Sequence, residues 1–545
     1  MKKFLVILVL LFPSLSFAGG YSGASVNGVK VQPLNILFFA IDDMGTSNLD
    51  GWGGPFEADI ESDAEVYGST LSYSELPNIG RFAASGVSYT QHRTNPLCAA
   101  ARASLWSGLN SLNNGMSYHS AGSLQNYSGA NATGGGTWVR LSEEAGYTTY
   151  GAGKFGVNDS DVVSPGRTTN NSVAFGMGFD EGQFQPIAST SLPANYGGSK
   201  TVHSSDTSSL VVVPSTDFWA QKDAEYIINK ITTHSSSTPF LAYFGFNWPH
   251  LPPFGEGVPG VSFPPSSDFV EPCSTDANYY TKCFNNALRW IDYYVGYIFE
   301  NIPDEKRKQT IVVIWSDNGS IDSYYGDPYP THNAKGSVRD GGLLTPLIIG
   351  GPGVHITKRG TVFDKSVSVM DLGVTIASIG IQGMLSDTDL PNSGYDGSDL
   401  QSTFNHRTTP STPPTELQIL MLSTGSDQNS NRSSDASDLD DTKRGLAVVW
   451  TDPSTTTVWK VHRLEAGCAL GSSGNTASEC SDRLYNLTTD PKETLDVRSS
   501  NTSVYNSIVT LLTAKHPVAS NPCVDAPLGE VWAEPIVDYT STCGG

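Results

Sequence analysis

Four polar side chains that could bind a cation directly follow two apolar segments of the chain: Asp42, Asp43, Asp317 and Asn318. The apolar segments, residues 34–41 and 310–315, have the composition of strands buried on both faces. Carboxylates at neighbouring strand ends repel each other unless a cation lies between them, and oxygen ligands suit Ca²⁺ or Mg²⁺. The alternative is that each pair caps a helix or forms a turn. Because such a pair follows both segments, we favour a metal site.

One of the seven cysteines, Cys98, is left over when the others are grouped by sequence distance. The other six form three close pairs: Cys273 with Cys283, Cys468 with Cys480, and Cys523 with Cys543. In an exported protein such pairs indicate disulfide loops, although the spacing does not fix the connectivity. Cys98 is then either an inert buried thiol or a reactive group. By itself the composition favours the inert thiol, because free cysteine is among the most buried residue types.

The N-terminus has the pattern of a signal peptide over residues 1–18. Lys2 and Lys3 precede an apolar run over residues 4–12, and small residues stand at Ser16 and Ala18. The apolar run is too short to span a bilayer as an anchor. We therefore predict an exported protein, periplasmic or secreted, without stable membrane insertion.

The net charge of −22 limits the partners of the protein. Such an acidic chain disfavours nucleic acid as a ligand, because the phosphate backbone would be repelled. It also repels anionic substrates at long range. Any site for an anion must therefore be a local concentration of cations.

Further apolar segments alternate with stretches of helical spacing. Residues 240–246 and 345–349 resemble the two strands described above. Helical patterns lie between the strands: residues 77–85, 102–109, 139–145, 215–232, 285–301 and 367–379. This alternation predicts an α/β fold, a sheet with helices on both faces. In such folds, sites lie beyond the carboxyl ends of the strands, where the four polar residues stand.

The composition predicts two structural units. Residues 32–440 form the proposed catalytic domain, with a polar insertion at about 157–213 and a linker at about 383–440. Within residues 441–545, a hairpin pattern at 446–463 is followed by a short strand and a helix. We predict a small C-terminal α+β subdomain with an antiparallel sheet and a helix.

The segment that begins at Cys98 resembles the signature of the sulfatase family. That signature is Cys or Ser, any residue, Pro or Ala, any residue and Arg, and here it matches Cys98 to Arg102, followed by a helical stretch that ends at Gly108. Other family segments occur in the same order along almost the whole chain: residues 35–45, 76–90, 146–154, 178–181, 239–250, 317–319, 335–346 and 483–493. Because several unrelated motifs agree in order, the chain is identified as a member of the sulfatase family.

The resemblance implies a fold, a nucleophile and a metal site. The fold would be alkaline phosphatase-like, with a large, mixed, mostly parallel sheet flanked by helices. A maturation enzyme would oxidise Cys98 to formylglycine, whose hydrate attacks the sulfur of a sulfate ester, with release of inorganic sulfate and an alcohol or phenol. One Ca²⁺, with Mg²⁺ as the alternative, would be held by the following residues: Asp42, Asp43, Asp317, Asn318 and the modified Cys98.

The resemblance also implies roles for four cationic or titratable side chains. Arg102 would position the formylglycine, and Lys154 and Lys335 would bind the sulfate of a sulfated small molecule or carbohydrate. His250, with Lys335, would protonate the leaving oxygen. Each lysine alone would be interpreted as a solvated surface residue and His250 as an ordinary partly buried histidine. Together these groups supply the fixed cations that an anionic substrate requires.

The chain departs from the family pattern at two positions. Ala100 stands where Pro is commoner, which bears on recognition by the maturation enzyme. Gly156 stands where the family usually has a His that takes a proton from the formylglycine hydroxyl to expel sulfate. His119 and His332 are candidate substitutes, with ordinary surface or loop positions as the alternative interpretation.

Two other functions fit parts of the pattern. A phosphate or phosphonate ester hydrolase of the same superfamily would share the metal-bearing sheet, but a phosphate monoesterase would favour two metal ions, and the sequence shows one metal set. A non-catalytic relative that binds sulfated ligands would keep the pocket without the chemistry, and the absent His keeps this hypothesis open.

Overall fold

A ten-stranded sheet forms the centre of the computed structural model. The structure describes residues 25–26, 29–30, 34–50, 52, 71–114, 137–157, 177–185, 198–204, 207–213, 219–235, 237–247, 249–250, 279–320, 335–351, 353–380, 395–405, 417–423, 444–464 and 482–515. The predicted signal peptide, His119 and His332 lie outside the described residues. So do five of the six paired cysteines, and of Cys283 only the place in a helix is described.

The strands of the described residues are numbered in chain order: β1 Ser25–Val26, β2 Val29–Lys30, β3 Asn35–Ile41, β4 Leu49–Asp50, β5 Leu71–Ser72, β6 Val87–Tyr89, β7 His92–Arg93, β8 Thr148–Lys154, β9 Glu181–Gln185, β10 Gly198–Ser204, β11 Thr207–Val213, β12 Phe240–Gly245, β13 Thr310–Ser316, β14 Leu347–Gly350, β15 Thr361–Phe363, β16 Val367–Ser368, β17 Leu417–Ser423, β18 Arg444–Thr451, β19 Val458–Leu464 and β20 Arg483–Asn486. The α-helices of the same residues are α1 Pro77–Ser85, α2 Cys98–Ser107, α3 Ser111–Asn114, α4 Trp138–Glu144, α5 Trp219–Thr233, α6 Tyr279–Glu300, α7 Asp304–Arg307, α8 Asp340–Leu343, α9 Val369–Gly380, α10 Gln401–Phe404 and α11 Thr502–Lys515.

The large sheet is mixed and mostly parallel in its centre, as predicted. Its strand order is β11-β10-β9-β8-β12-β3-β13-β14-β6-β15. The strands from β9 to β13 in this order pair in parallel, whereas β14, β6 and β10 each join an antiparallel neighbour. Strands β9, β10 and β11 lie within the segment predicted as a polar insertion, and they extend the sheet at one edge.

Both faces of the sheet are covered by helices. Helices α2, α4 and α9 contribute to one apolar cluster, and α1, α5 and α6 contribute to the other. Alternate residues of β3 enter the two clusters: Ile36, Phe38 and Ala40 the first, and Leu37, Phe39 and Ile41 the second. Burial of each large apolar side chain stabilises the fold by about 1.5–3 kcal/mol. The continuous apolar run of β3 therefore reflects burial on two faces.

A second, four-stranded antiparallel sheet forms the small C-terminal subdomain, in the order β17-β18-β19-β20. Its core combines strand and helix residues: Val448, Val461, Leu484, Ile508 and Leu512. The predicted α+β subdomain is thus confirmed, and its first strand, β17, comes from the segment predicted as a linker. No described helix combines the length and apolarity needed to cross a bilayer.

Candidate active site

The metal-ligand candidates meet because β3 and β13 are parallel neighbours. Their register pairs Ile41 with Ser316, so the residues that follow each strand leave the same edge of the sheet. The Asp43 N–H donates to Asp317 Oδ1 at 3.2 Å. Asp43 has a φ of 63°, in the left-handed region that Asp adopts more readily than most residues with a Cβ. The contacts between the two strand ends hold this conformation in place.

Cys98 lies at the start of α2, facing these carboxylates. Its Sγ is 3.4 Å from Asp42 Oδ1 and 3.9 Å from Asp43 Oδ1, and Lys335 Nζ donates to it at 3.1 Å. The thiol is in no disulfide, and the residue is only 3% exposed. Burial raises the pKa of the Cys98 thiol, so the unmodified thiol is a poor nucleophile.

Arg102 follows Cys98 by one helical turn and lies on the same side of α2. Its Nε donates to Asp317 Oδ2 at 2.8 Å, and both groups are fully buried. Its Nη1 donates to Tyr243 Oη at 2.6 Å and to the Lys154 carbonyl at 3.2 Å. The Tyr243 hydroxyl donates in turn to the same carbonyl at 3.0 Å. The network ties the arginine to a metal-ligand candidate and to the lysine strand β8.

Tyr243 was not identified from the sequence. It lies inside β12, where its ring joins the apolar cluster on one face of the sheet. A tyrosine in an apolar run carries no sign that its hydroxyl reaches a buried arginine. The only available signal was that a buried tyrosine hydroxyl usually has a polar partner.

Two lysines complete a positively charged border. Lys154 forms an ion pair with Asp42, and Lys335 Nζ lies 2.5 Å from Asp43 Oδ1. Burial alone would lower the pKa of both ammonium groups, but the adjacent carboxylates outweigh it and raise both pKa values. Both lysines therefore carry a positive charge at neutral pH.

His250 lies beyond the end of β12 and is half-buried. A ring nitrogen, an Asp42 carboxylate oxygen and Cys98 Sγ all lie within 4.8 Å of one another. Burial, followed by the positive charges of Lys335 and Lys154, lowers the pKa of His250. In the absence of an anionic ligand, the imidazole is therefore neutral near pH 7.

The arrangement fits a divalent cation. Carboxylate oxygens of Asp42, Asp43 and Asp317 lie with Cys98 Sγ within 4.8 Å of one another, and all four residues are buried. Asp43 Oδ2 and Asn318 Oδ1 are buried without a hydrogen-bond donor. Unsatisfied acceptors of this kind are costly unless another partner binds them.

The charges of the carboxylates support the same conclusion. Burial and the negative charge of Asp42 raise the pKa of Asp317 to about 6. Burial would also raise the pKa of Asp42, but nearby cations, Lys154 first, hold that pKa well below its usual value. A divalent cation with oxygen ligands would relieve the repulsion among these groups.

Gly156 lies directly against Arg102. Its φ is 76°, and an added Cβ would lie 2.3 Å from Arg102 Cδ and 2.8 Å from Arg102 Nε. The arginine thus occupies the space that any side chain at residue 156 would need. The family pattern usually has a His at this position, and the packing of Arg102 against Gly156 leaves no room for one.

The fold and the site together fit a hydrolase of anionic esters: a buried cysteine lies beside carboxylates that could hold a cation, and lysine, arginine and histidine side chains surround it. The family model for Sulfatase matches residues 35–380. The chain therefore belongs to the sulfatase family, which confirms the predicted family and the predicted sulfuric ester hydrolase class.

Curated relatives agree with this assignment. The N-acetylgalactosamine-6-sulfatase of Rattus norvegicus is 26% identical over 411 residues, which cover 71% of this chain and 68% of that protein. Other N-acetylgalactosamine-6-sulfatases are matched over 64% to 67% of their length.

Two solved structures share the fold. The PsFucS1 sulfatase from Pseudoalteromonas sp. aligns with a TM-score of 0.60 and 16% identity, covering 91% of this chain and 92% of that chain. BT4656 in complex with D-glucosamine-2-N,6-O-disulfate aligns with a TM-score of 0.59 and 13% identity, covering 89% of this chain and 98% of that chain. These likenesses confirm the alkaline phosphatase-like fold class.

Proposed function

We propose that the protein hydrolyses sulfate esters of saccharides with a formylglycine made from Cys98 and one divalent cation, Ca²⁺ or Mg²⁺. One observation carries the proposal: carboxylates and ammonium groups converge on Cys98 Sγ, with Asp42 Oδ1 at 3.4 Å and Lys335 Nζ at 3.1 Å. Such a mixture of charges around residue 98 suits a site that binds a cation on one side and an anion on the other.

The cation and the modified residue would supply chemistry that the unmodified side chains lack. Formylglycine supplies a geminal diol whose oxygen is a nucleophile toward sulfur. The cation stabilises negative charge on the transferred group. The residues that would hold the cation are Asp42, Asp43, Asp317, Asn318 and the modified residue 98.

The fixed cations of the chain would bind and orient the sulfate. Lys335 Nζ already lies at residue 98, and Lys154 is paired with the neighbouring Asp42. Arg102 forms an ion pair with Asp317, one of the proposed metal ligands, and so fixes the position of α2 relative to this carboxylate. Because these groups are held before substrate arrives, their charges need no reorganisation during the reaction.

Lys335 and His250 would assist departure of the alcohol or phenol. Lys335 stays positively charged, since Asp43 and the other anionic groups around it raise its pKa, so it would offset negative charge on the leaving oxygen. The negative charge of a bound sulfate ester would raise the pKa of His250 and allow it to carry a proton. With Lys335 beside it, His250 would then donate its proton to the leaving oxygen as the bond to sulfur breaks.

A saccharide substrate is supported by the proteins that this chain resembles. The name of the rat relative specifies a sulfated amino sugar, and BT4656 was solved with a disulfated glucosamine. An exported enzyme would meet such substrates outside the cytoplasm, and the signal peptide pattern at residues 1–18 supports export.

Paired substrates test the proposal. The matured enzyme is assayed with an aryl sulfate and the matching aryl phosphate, and then with O-sulfated monosaccharides. We expect a higher kcat/KM on the aryl sulfate and release of sulfate from at least one sugar. A higher kcat/KM on the aryl phosphate would contradict the proposal, and activity on aryl sulfate without any activity on sugars would contradict its saccharide part.

A further inference from the structure

Residues 335–344, here called the hub segment, contact three of the segments that carry the site: the turns that follow β3 and β13, and the loop that precedes Cys98. The Gly319 N–H donates to the Gly342 carbonyl at 2.9 Å, which joins the hub segment to the metal-ligand turn. The Thr94 N–H, four residues before Cys98, donates to the Leu343 carbonyl at 2.9 Å. The Thr46 N–H donates to the Leu344 carbonyl at 3.3 Å, just after Asp43.

The hub segment also carries Lys335 itself. The Lys335 N–H donates to the Ser320 carbonyl at 2.8 Å, and the Gly336 N–H donates to the Pro96 carbonyl at 2.9 Å. Contact is so close that a Cβ at Gly319 would lie 1.9 Å from the Gly341 carbonyl oxygen. A displacement of the hub segment would therefore move Lys335 relative to residue 98 and press on the metal-ligand turn.

Two charged side chains of the C-terminal subdomain are bound to this segment. Lys460 Nζ, on β19, donates to Asp340 Oδ1 at 2.8 Å and to Glu493 Oε1 at 3.0 Å. Glu493 Oε1 accepts the Asp340 N–H at 2.7 Å. Arg93, on β7, donates to the same carboxylate, from Nε to Asp340 Oδ1 at 3.0 Å and from Nη2 to Asp340 Oδ2 at 2.6 Å.

This network is buried and balanced in charge. Lys460, Glu493, Asp340 and Arg93 are each at most 2% exposed, and two cations face two carboxylates. Removal of one partner would leave an uncompensated buried charge, which strongly disfavours the arrangement. Glu493 has a φ of 57°, a conformation that is rare for a residue with a Cβ and persists where the surroundings hold it.

We propose that Lys460 and Glu493 are positioning residues for the sulfatase site, because through Asp340 they hold the hub segment that places Lys335 beside residue 98. The C-terminal subdomain is then part of the catalytic apparatus, although neither residue is among the side chains that surround Cys98. The inference rests on the proposed function, specifically on the role of Lys335 at the leaving oxygen.

The leaving group of the substrate gives a readout that mere loss of stability would not change. A nitrophenolate leaves without much help, whereas an unsubstituted phenol needs protonation. We expect Lys460→Met and Glu493→Gln to lower kcat on phenyl sulfate about tenfold more than kcat on 4-nitrophenyl sulfate, in the range of a weakened general acid. Lys460→Arg, which keeps the charge, is expected to restore most of the ratio.

Val448→Ala is the matched control. Val448 is fully buried in the core of the same subdomain and carries no charge. The Val448→Ala substitution should lower the thermal stability. It should leave the ratio of the two kcat values within about twofold of wild type, because the buried ion pairs of Lys460 and Glu493 remain. Glu493→Gln keeps an acceptor for the Asp340 N–H and serves as the second variant if Lys460→Met does not fold.

The outcomes separate the two claims. Equal losses on both substrates, or the same change of ratio in Val448→Ala, would overturn the positioning role of Lys460 and Glu493. A matured wild-type enzyme that releases sulfate from neither aryl ester nor any O-sulfated monosaccharide would overturn the proposed function itself.

Discussion

The side chain of Arg102 fills the space next to Gly156, where a Cβ would lie 2.3 Å from Arg102 Cδ. The same arginine pairs with Asp317 through its Nε at 2.8 Å. The absence of a histidine at residue 156 is therefore tied to the position of Arg102. A side chain at residue 156 is incompatible with the position in which Arg102 pairs with Asp317.

Gly156→Ala should consequently disrupt the site. The new methyl group would displace Arg102 from its ion pair, and breaking a buried pair costs about 3–5 kcal/mol. We expect this loss in the free energy of unfolding, measured with urea, together with a large drop in kcat. Gly156→His should be no more active than Gly156→Ala, because the imidazole would displace the arginine instead of supplying a base.

Gly360→Ala is the control for backbone strain, which is the cost of placing a residue with a Cβ at a positive φ. Gly360 has a φ of 68° and is exposed, and the nearest atom to an added Cβ would be the Ala84 carbonyl oxygen at 3.2 Å. We expect a loss of about 1–2 kcal/mol and unchanged kcat. If Gly156→Ala cost no more than this control, the collision with Arg102 would be refuted.

The Tyr243 hydroxyl should matter for both stability and turnover. Tyr243→Phe removes the acceptor of Arg102 Nη1 and leaves a buried guanidinium donor with a poorer set of partners. We expect a loss of about 1–3 kcal/mol and a lower kcat. Tyr150→Phe on β8, whose hydroxyl contacts His234, is the comparison, since it lies away from the site. Equal kcat in both variants would show that the Tyr243 hydroxyl has no role in the site.

The convergence of the strand-end carboxylates could be predicted from the sequence, because its signal is local. Asp42 and Asp317 follow uninterrupted apolar strands, so their convergence follows from the parallel pairing of β3 and β13. The roles of Tyr243 and Gly156 were not predictable in the same way, because each depends on which side chain packs against it from a distant segment. Lys460 looked like an ordinary polar residue of a hairpin, and its partners Asp340 and Glu493 are far away in sequence.

The same limit applies to the strands. The composition of residues 157–213 predicted a polar insertion, yet part of it forms β9, which pairs with β8 in parallel from Tyr150 to Lys154. β-strand formation depends on the neighbouring strand more than on intrinsic propensity. The edge of β8 was available for pairing, so residues whose own composition does not indicate a strand form β9 beside it.

Metal removal should make the stability depend on pH in a defined direction. In the metal-free protein the pKa of Asp317 is raised from 3.8 to about 6, because burial and Asp42 disfavour its charge. The folded state then binds this proton more tightly than the unfolded state. The contribution of Asp317 therefore favours folding as the pH falls from above 6 toward 4 and is lost as the pH rises through 6.

Ca²⁺ or Mg²⁺ should accordingly raise Tm more at about pH 7.5 than at about pH 5, because protons compete with the cation for Asp317. Thermal unfolding after treatment with a chelator, with and without added metal, measures the difference. Metal-free Asp317→Asn should lack the Asp317 part of the pH dependence. A Tm that does not respond to either cation at any pH would contradict the metal site.

Replacement of Cys98, the proposed precursor of the nucleophile, should separate activity from folding. Cys98→Ala removes a small buried thiol that is in no disulfide, so we expect a change in unfolding free energy of about 1 kcal/mol or less. Turnover of sulfate esters should be abolished. A large destabilisation, or retained turnover, would instead indicate that Cys98 is a structural cysteine.

Mass spectrometry of the peptide that contains residue 98 tests the central claim most directly. The protein is purified from its native host and digested, and the peptide with residues 98–102 is compared with the same peptide from Cys98→Ala protein. We predict that residue 98 carries an aldehyde, seen as the mass decrease from thiol to formyl group and as capture by a hydrazide reagent. An unmodified thiol at residue 98 in catalytically active protein would contradict the account.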